Sequence, residues 1–477
     1  MQPLKQAIAR RLCIGAALAA AVFNAQGASL RDIYELALEN DATLKAQQAR
    51  YLASLEDEKA ARSRLLPQVL ATYSMQSSDT DTSAPGIIGF SPQRAPIIGN
   101  TFDNTDSNTR AFRVSLQQAI FNLPAWFSFQ RGRQLSRQAE ASFAANQQNL
   151  IVRVVEAYLA VLRAEDRLRA AVAREEAFGR QLEQNRQRFE VGLIAITDVY
   201  ESQAAYDIAQ VDRIAGDNQV AVALETLTVL TGQRHDRLDR LAEDFAAIPP
   251  EPADRGAWVE FALANNFTLK AARYAEEAAR QNARARRLAH APTLSGTARY
   301  TETEIDGRRF QDPAGIFNFP PDRDIDDTVL GLELSVPLFS GGAVSAERRR
   351  AAQQFNAARE ERINLTRRTV TDARSLHMTV VNDVARVKAR RQAIVSSQSA
   401  LDATQAGYEV GTRNIVDVLN AQNTLFAAVR DYANSRYDYV VNTLRLKEQA
   451  GLLSPDDVID LDRALDAPPA PSGAASP

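Results

Sequence analysis

Two nearly identical stretches of the sequence hold the residues best suited to specific chemistry. Residues 189–203 read FEVGLIAITDVYESQ and residues 408–422 read YEVGTRNIVDVLNAQ, with seven identities at an offset of 219. An arginine such as Arg413 can donate several hydrogen bonds to a carboxylate, and the hydroxyl of Tyr408 can donate one. Aspartates in both stretches can accept such bonds. These residues could therefore form reversible hydrogen bonds that hold two segments of the chain together.

The aspartates of the two stretches also have a simpler interpretation. Asp198 and Asp417 stand near the start of a helical pattern, where an aspartate caps a helix by accepting backbone N–H bonds. Asp198 and Glu201 even have the spacing of a capping box. Just before them, Gly192 and Gly411 permit the backbone to reverse. Each stretch is thus predicted to be a turn between two helices, and the role of its aspartate stays open.

The sequence contains no pattern typical of metal binding, catalysis or nucleic-acid binding. The three histidines, His235, His290 and His377, lie far apart and lack the spacing of metal ligands. No glycine-rich phosphate loop and no nucleophile motif occurs. A net charge of −3 leaves no basic excess to attract nucleic acid. We therefore predict no enzyme, no metal or other cofactor and no nucleic-acid partner.

The N-terminus has the pattern of a secretory signal over residues 1–27. Basic residues precede a short apolar run, 12–23, and small residues suited to cleavage precede Ala28. The run is shorter than the roughly 20 residues that span a membrane, so we expect export without an anchor. The single cysteine, Cys13, lies inside this segment, so the mature chain is expected to form no disulfide bond.

The similarity between the two stretches extends over almost the whole chain. ALENDATLKA (37–46) matches ALANNFTLKA (262–271), and SLQQAIFN (115–122) aligns with ELSVPLFS (333–340). A repeat of this kind indicates that the same structural unit occurs twice in the chain. The predicted organisation is a first copy over 28–232, a linker segment over 233–254, a second copy over 255–451, a further segment over 452–466 and a disordered tail over 467–477.

Each copy carries two stretches in which apolar and polar residues alternate, as in half-buried strands. The four predicted strands are 68–76, 111–121, 293–301 and 328–338. The polar segments between them, 77–109 and 302–327, are predicted to be long exposed loops. Aromatic residues suited to a membrane interface crowd the base of the second strand and recur in the second copy: Phe121, Trp126, Phe127, Phe129 and Phe339. Four strands are too few to close a bacterial outer membrane barrel, which needs at least about eight.

The helical segments are unusually long. The helix after each strand pair has about 68 residues and spans roughly 100 Å at 1.5 Å per residue. The flanking helices over 29–66 and 255–290 have about half that length. Two short helices laid end to end match one long helix. The predicted fold class is therefore mainly α with β, built on long antiparallel helical hairpins.

This unit of helix, strand pair, long helix, V-G turn and return helix resembles the TolC family of outer membrane exit ducts. The likeness covers about residues 29–465 and is carried by EVGLIAITDV (190–199), GYEVGTRNIVDVLNAQ (407–422) and PLFSGG (337–342). It implies a homotrimer in the outer membrane that extends into the periplasm. Each chain would lend four strands to one β-barrel and four helical columns to a tunnel, an α-barrel.

The resemblance also implies a function and partners. The duct would export solutes, drugs or proteins passively, together with a periplasmic adaptor protein and an inner-membrane transporter of the ABC or proton-driven kind. Lipid of the outer membrane would surround its barrel, and the segments 233–254 and 452–466 would form an equatorial belt. The alternative is a structural periplasmic coiled-coil spacer without a pore, which predicts neither alternating strands nor a membrane location.

Position by position, the resemblance assigns roles to the two repeated stretches. A latch that closes the periplasmic mouth falls on Thr197, Asp198, Tyr408 and Arg413. A constriction falls on Asp417 and Asn420, where the second position departs from the acid that the family carries. Gly192 and Gly411 mark the hairpin tips, where the adaptor would bind.

Overall fold

The computed structural model describes residues 28–312 and 320–466, which form nine helices and six strands. In chain order they are α1 (Leu30–Asn40), α2 (Ala42–Ser63), β1 (Gln68–Phe90), β2 (Pro96–Phe121), α3 (Leu123–Glu190), α4 (Ile196–Thr231), β3 (Arg240–Leu241), α5 (Arg255–Asn265), α6 (Phe267–Arg287), β4 (Thr293–Asp312), β5 (Arg323–Ser335), α7 (Ala343–Glu409), α8 (Ile415–Ala450), α9 (Pro455–Asp462) and β6 (Leu465–Asp466). The series of two helices, two strands, a long helix and a return helix thus occurs twice. The predicted signal segment 1–27 and tail 467–477 lie outside the described residues.

The chain folds into two compact units, and each draws on both sequence copies. The helical unit comprises the described residues up to 51, residues 139–272 and residues 362–466. The sheet unit comprises residues 52–138 and 273–361, of which 313–319 are not described. The compact units therefore do not follow the sequence copies, whose boundaries stay a prediction.

The sheet unit contains a four-stranded antiparallel sheet in the order β1-β2-β4-β5. The β1–β2 hairpin is paired from Gln68 opposite Gln117 to Phe90 opposite Pro96, with one register shift near Gly89. The outer edges of β1 and β5 pair with no other described strand. An unpaired edge exposes a row of backbone N–H and C=O groups that can bind a further strand.

One face of this sheet is apolar over several rows, as the alternating pattern predicts. Cross-strand neighbours form a row of Val69, Leu116, Ala298 and Leu330, followed by a row of Ala71, Val114, Tyr300 and Thr328. The face is open to its surroundings, because Leu330 and Leu332 are 78% and 75% exposed. The opposite face carries polar residues such as Thr72 and Arg113.

The two predicted long loops are wrong over most of their length. β1 continues to Phe90 and β2 begins at Pro96, so only residues 91–95 connect them. In the second copy, β4 continues to Asp312 and β5 already begins at Arg323, although it ends at Ser335 rather than at 338.

Polar cross-strand contacts accompany these strand extensions. The amide of Asn104 donates hydrogen bonds to the carboxylates of Asp79 and Asp81, at 3.0 and 2.8 Å. Arg309 forms an ion pair with Asp103 at 2.8 Å. Such pairs stabilise neighbouring strands without apolar alternation, so the polar parts of the extensions resemble a loop in sequence.

The helical unit is built around α3, α4, α7 and α8. Its main core takes a run of fully buried side chains from α3, among them Leu150, Val154, Tyr158 and Leu162. The segments that follow each copy, 233–254 and 452–466, pack on this core: β3 pairs with β6, and the Tyr158 hydroxyl donates to the backbone carbonyl of Asp239 at 2.8 Å. Within 28–312 and 320–466, no helix has an apolar stretch long enough to cross a membrane.

The predicted helices over 29–66 and 255–290 are each divided into two helices. Asp41 interrupts the first and Asn266 the second, at equivalent positions of the two copies. Both side chains are buried and cap the following helix, by accepting from the backbone N–H of Leu44 and of Leu269. Asp41 also forms an ion pair with Arg153 at 3.0 Å. The physical reason for the division is thus a short polar side chain that competes for backbone donors.

Candidate gate at the ends of the helical hairpins

The two repeated stretches form two turns of the same geometry in the helical unit. Gly192 and Gly411 have φ values of 74° and 78°, in the left-handed region that favours glycine. The residue after each glycine donates a backbone hydrogen bond five residues back, Leu193 to Arg188 and Thr412 to Gly407, both at 2.8 Å. This is the Schellman pattern that ends a helix, so the sequence repeat has a direct structural counterpart.

The return helices that follow the turns begin differently. α8 begins at a complete capping box, in which Asn414 accepts from the backbone N–H of Asp417 at 2.8 Å and donates its own N–H to the Asp417 carboxylate. α4 begins after Ala195, whose side chain cannot cap. The capping interpretation is therefore confirmed for Asp417 and wrong for Asp198, which stands in the first turn of α4 without an N-cap partner.

Tyr408 joins the second hairpin to the first through a buried polar network. Its hydroxyl donates to the Asn185 side-chain oxygen at 3.0 Å, and this oxygen also accepts from Gln181 at 3.1 Å. The Asn185 amide donates to the Ser202 hydroxyl at 2.7 Å, and that hydroxyl donates to the backbone carbonyl of Asp198 at 2.8 Å. Asn185 and Ser202 are fully buried. Helices α3, α4 and α7 are thus joined by one chain of hydrogen bonds.

The surroundings of Tyr408 keep its hydroxyl protonated. Burial raises the pKa of this hydroxyl above its ordinary value of 10.0, and the negative charge of Asp198 raises it further. The guanidinium of Arg188 lies over the ring at 5.2 Å from its centre, and its positive charge acts in the opposite direction. The hydroxyl therefore remains a hydrogen-bond donor at neutral pH.

A small apolar cluster packs around this network. It contains Phe178 of α3, Ala209 of α4, Leu401 and Tyr408 of α7, and Ile415, Val418 and Leu419 of α8. All four helices of the two hairpins contribute, so the hairpin ends are packed against each other. Exclusion of water strengthens the enclosed hydrogen bonds.

Arg413 and Thr197, the other two predicted latch residues, lie at the surface. Arg413 approaches the carboxylate of Asp417 at 3.9 Å, and its side chain is 61% exposed. Thr197 is exposed, and its side chain forms no hydrogen bond among the described residues. Within this single chain, Tyr408 reaches Asn185 rather than Thr197 or the Asp198 carboxylate. The four-residue latch stays a prediction.

The predicted constriction residues share one face of α8. Asp417 and Asn420 are three residues apart, a spacing that places side chains side by side on a helix. Asn420 is exposed, and Asp417 is partly buried by its capping contacts. The pair presents one carboxylate and one neutral amide.

Asn185 is a candidate functional residue that the sequence analysis did not single out. It falls in the buried stripe of α3 formed by Ala171, Phe178 and Leu182, at successive intervals of seven, four and three residues. A single asparagine in an apolar stripe of this spacing commonly fixes how helices pair. That signal is present in the sequence and could have identified the residue.

Comparison with known proteins gives consistent relatives over most of the chain. The model of the protein family described as outer membrane efflux protein matches residues 33–233 and 258–452. The outer membrane protein TolC of Vibrio cholerae is 34% identical over 439 residues, which cover 92% of this chain and 94% of the relative. The alkaline protease secretion protein AprF of Pseudomonas aeruginosa is 29% identical over 431 residues, covering 90% and 85%.

Solved structures of outer membrane channels have the same fold. The structure of CusC matches with a TM-score of 0.71 at 15% identity, covering 89% of this chain and 92% of that one. VceC from Vibrio cholerae matches with a TM-score of 0.70 at 17% identity, covering 88% and 96%. At such low identity the likeness concerns the fold, and it confirms the predicted combination of long helical hairpins with a four-stranded sheet.

Proposed function

The chain belongs to the outer membrane efflux protein family, and on this premise we propose that three copies of it form one passive exit duct. As a member of the family it is an outer membrane channel protein of the efflux and secretion class. The proposal concerns what lies beyond that class: the trimer, the closed tip and the partners.

The proposal of a trimer rests on the free edges and the exposed apolar face of the sheet. Its four strands have two free edges, β1 and β5, and one broad apolar face that is open to the surroundings. The apolar rows run from Leu294 to the row of Tyr73 and Phe112, about 26 Å along β4 at 3.3 Å per residue. This length suits the roughly 25 Å apolar band of outer membrane barrels. Three copies joined edge to edge would pair every edge in a twelve-stranded barrel with outer membrane lipid around it.

The tips of the hairpins are suited to binding a partner protein. Val191, Leu193 and Val410, beside the two turn glycines, are between 69% and 75% exposed, and small clusters of exposed apolar residues mark interaction sites. We assign this surface, with Gly192 and Gly411, to a periplasmic adaptor protein. The relatives are named for efflux and for protease secretion, so an inner-membrane ABC or proton-driven transporter would supply the energy.

The closed state would combine contacts within and between chains. Tyr408 holds its own first hairpin through Asn185, whereas Arg413 is free to extend toward Thr197 and Asp198 of a neighbouring copy. The charge-assisted bond from an arginine to a carboxylate is stronger than a neutral one. Asp417 and Asn420 would line the narrowest part, with one acidic ring from the three aspartates.

The trimer is tested by fractionation and cross-linking of the mature protein. We expect it in the outer membrane fraction and, after cross-linking in mild detergent, as a species three times the mass of the chain. Recovery of only monomers, or recovery in the soluble periplasmic fraction, would contradict the proposal and favour a periplasmic spacer protein.

A further inference from the structure

The sheet unit concentrates arginine where the strands meet the helices. Four segments adjoin the base of the sheet, 59–78, 122–139, 278–301 and 334–350, and Glu347 is the only acidic residue inside them. Acidic residues stand directly beyond these bounds: Glu58, Asp79, Glu140, Glu277, Glu302 and Glu333. The helix ends in these segments carry Arg62, Arg64, Arg131, Arg133, Arg137, Arg284, Arg286, Arg287, Arg348, Arg349 and Arg350. The chain as a whole is slightly acidic, at −3, so this basic concentration is local.

Ten of these eleven arginines have no acidic partner among the described residues. Arg350 pairs with Glu347 at 3.1 Å, and none of the other ten forms an ion pair with a described residue. All of them are exposed except Arg133, which is partly buried. Their charge is therefore available to a ligand.

Helix dipoles account for only part of the pattern. α2 and α6 end at the base of the sheet, and cations are favourable near helix C-termini. α3 and α7 begin there, but Arg133, Arg137 and the Arg348–Arg350 run lie beyond the first turn, where the dipole effect has fallen off. The arginines of α3 need another explanation.

The arginines of α3 lie on two different faces of the helix. Arg131 lines a cavity of about 760 Å³ together with Arg64, Arg286 and the acidic Asp57. Arg133 and Arg137 fall on the side of α3 away from that cavity, in one stripe with Trp126 and Phe129 at intervals of three and four residues. The two aromatic rings of the stripe contact each other, with centroids 5.9 Å apart.

The stripe has the composition of a membrane interface. Trp126 is 47% exposed and follows directly after the apolar face of the sheet, and tryptophan concentrates at the level of lipid headgroups. Arg133 is seven residues further, about 10 Å along the helix. Helical side chains tilt toward the helix N-terminus, which for α3 is the sheet end. We therefore expect the two side chains to extend toward the sheet end of α3, where Trp126 lies.

We propose that Arg133 and Arg137 bind the phosphate groups of anionic phospholipids at the rim of the apolar sheet face. The guanidinium fork matches phosphate oxygens with two parallel hydrogen bonds. The proposal rests on the proposed function, because it needs the sheet to lie in a membrane. Beyond the proposed function, it names anionic phospholipid as a ligand and the arginine stripe of α3 as its site.

The test counts lipids bound to the full-length trimer in detergent by native mass spectrometry, during titration with phosphatidylglycerol or with zwitterionic phosphatidylcholine. The variant Arg133→Gln, Arg137→Gln is compared with Arg64→Gln, Arg131→Gln, which removes the same charge from the cavity face. We expect the first pair to weaken phosphatidylglycerol binding about tenfold or more. The cavity pair and phosphatidylcholine binding should remain unchanged.

Two further measurements keep the test decisive if the glutamine pair assembles poorly. Arg133→Lys, Arg137→Lys should retain most of the binding, and binding to the unchanged protein should weaken as salt is raised. Equal losses in both glutamine pairs, no loss in the first, insensitivity to salt, or equal occupancy by inorganic phosphate alone would each overturn the site. These outcomes leave the trimer and its outer membrane location intact, whereas failure of the proposed function would remove both.

Discussion

At the scale of single residues, the two aspartates show how one motif acquires two environments. Asp198 and Asp417 occupy equivalent places in the repeat, yet only Asp417 belongs to a capping box. The difference lies three residues earlier, because Asn414 has a side chain that can cap and Ala195 has none. The Asp198 carboxylate takes no part in a helix cap among the described residues. This asymmetry supports a latch role for Asp198 more than for Asp417.

Asp417 carries a testable prediction about ion preference. With Asn420 neutral, Asp417 is the acidic member of the predicted constriction, so Asp417→Asn should weaken the preference for cations over anions. The asparagine oxygen can still accept the Asn414 N–H, so the helix cap should largely persist. Reversal potentials in planar bilayers under a salt gradient measure the preference.

A matched variant separates a local effect from a general loss of charge. Asp372→Asn removes one exposed carboxylate from α7, 39 residues before Gly411, and should leave the reversal potential unchanged. Equal shifts in both variants, or no shift with Asp417→Asn, would leave Asp417 as a helix cap only.

Asn185 shows what residue-level reasoning from the sequence missed. The sequence analysis predicted donors and acceptors in the two tip stretches but no partner from the last turns of α3, just before the first stretch. Tyr408 finds its acceptor at Asn185, 223 positions away, because the packing of the hairpin ends brings these two buried side chains together. Such a pair depends on the register between helices, which periodicity alone does not define.

At the scale of elements, the hairpin turns were predictable because they depend on local chemistry. The V-G sequence, the helical patterns on both sides and the 219-residue offset together predicted two identical turns, and the hydrogen bonds at Gly192 and Gly411 agree. The strands were predictable only where apolar residues alternate. Beyond Gln76 and before Arg110, polar pairs such as Asn104 with Asp79 hold β1 to β2, and these pairs resemble a loop in sequence.

The turn glycines give a prediction with an internal control. An added Cβ would meet open space at Gly192 and at Gly411, so any cost of substitution comes from the backbone. Gly192→Ala should destabilise the hairpin end by about 1–2 kcal/mol, seen as faster amide hydrogen exchange over residues 186–200. Gly192→Asn should be milder despite its larger side chain, because asparagine tolerates the left-handed region.

The relative cost of the alanine and asparagine substitutions shows whether the backbone or the side chain causes the destabilisation. A steric origin would make asparagine worse than alanine, and equal exchange rates in all three proteins would show that the φ of +74° does not constrain this turn.

At the scale of the whole molecule, internal repetition made most of the fold predictable. Two copies of a unit with one long and two half-length helices favoured hairpins, and four alternating stretches predicted the sheet. The sequence could not show which residues of the two copies form one compact unit, because that depends on contacts between residues more than 200 positions apart. No described strand pairs with the free edges of β1 and β5, and the rows around Leu330 are exposed, which motivates the proposed trimer.

The most direct test of the account is single-channel conductance of the trimer in planar bilayers. Tyr408→Phe, Arg413→Ser removes the hydroxyl bond to Asn185 and the proposed arginine bond to the neighbouring copy. The arginine bond is charge-assisted and contributes about 1.5–3 kcal/mol, and threefold repetition multiplies the loss. Tyr200→Phe, Arg180→Ser makes the same chemical change at exposed positions of the first hairpin. The account predicts conductance raised severalfold in the first variant and unchanged in the second, both as intact trimers; unchanged conductance in the first would contradict a gate at the hairpin ends.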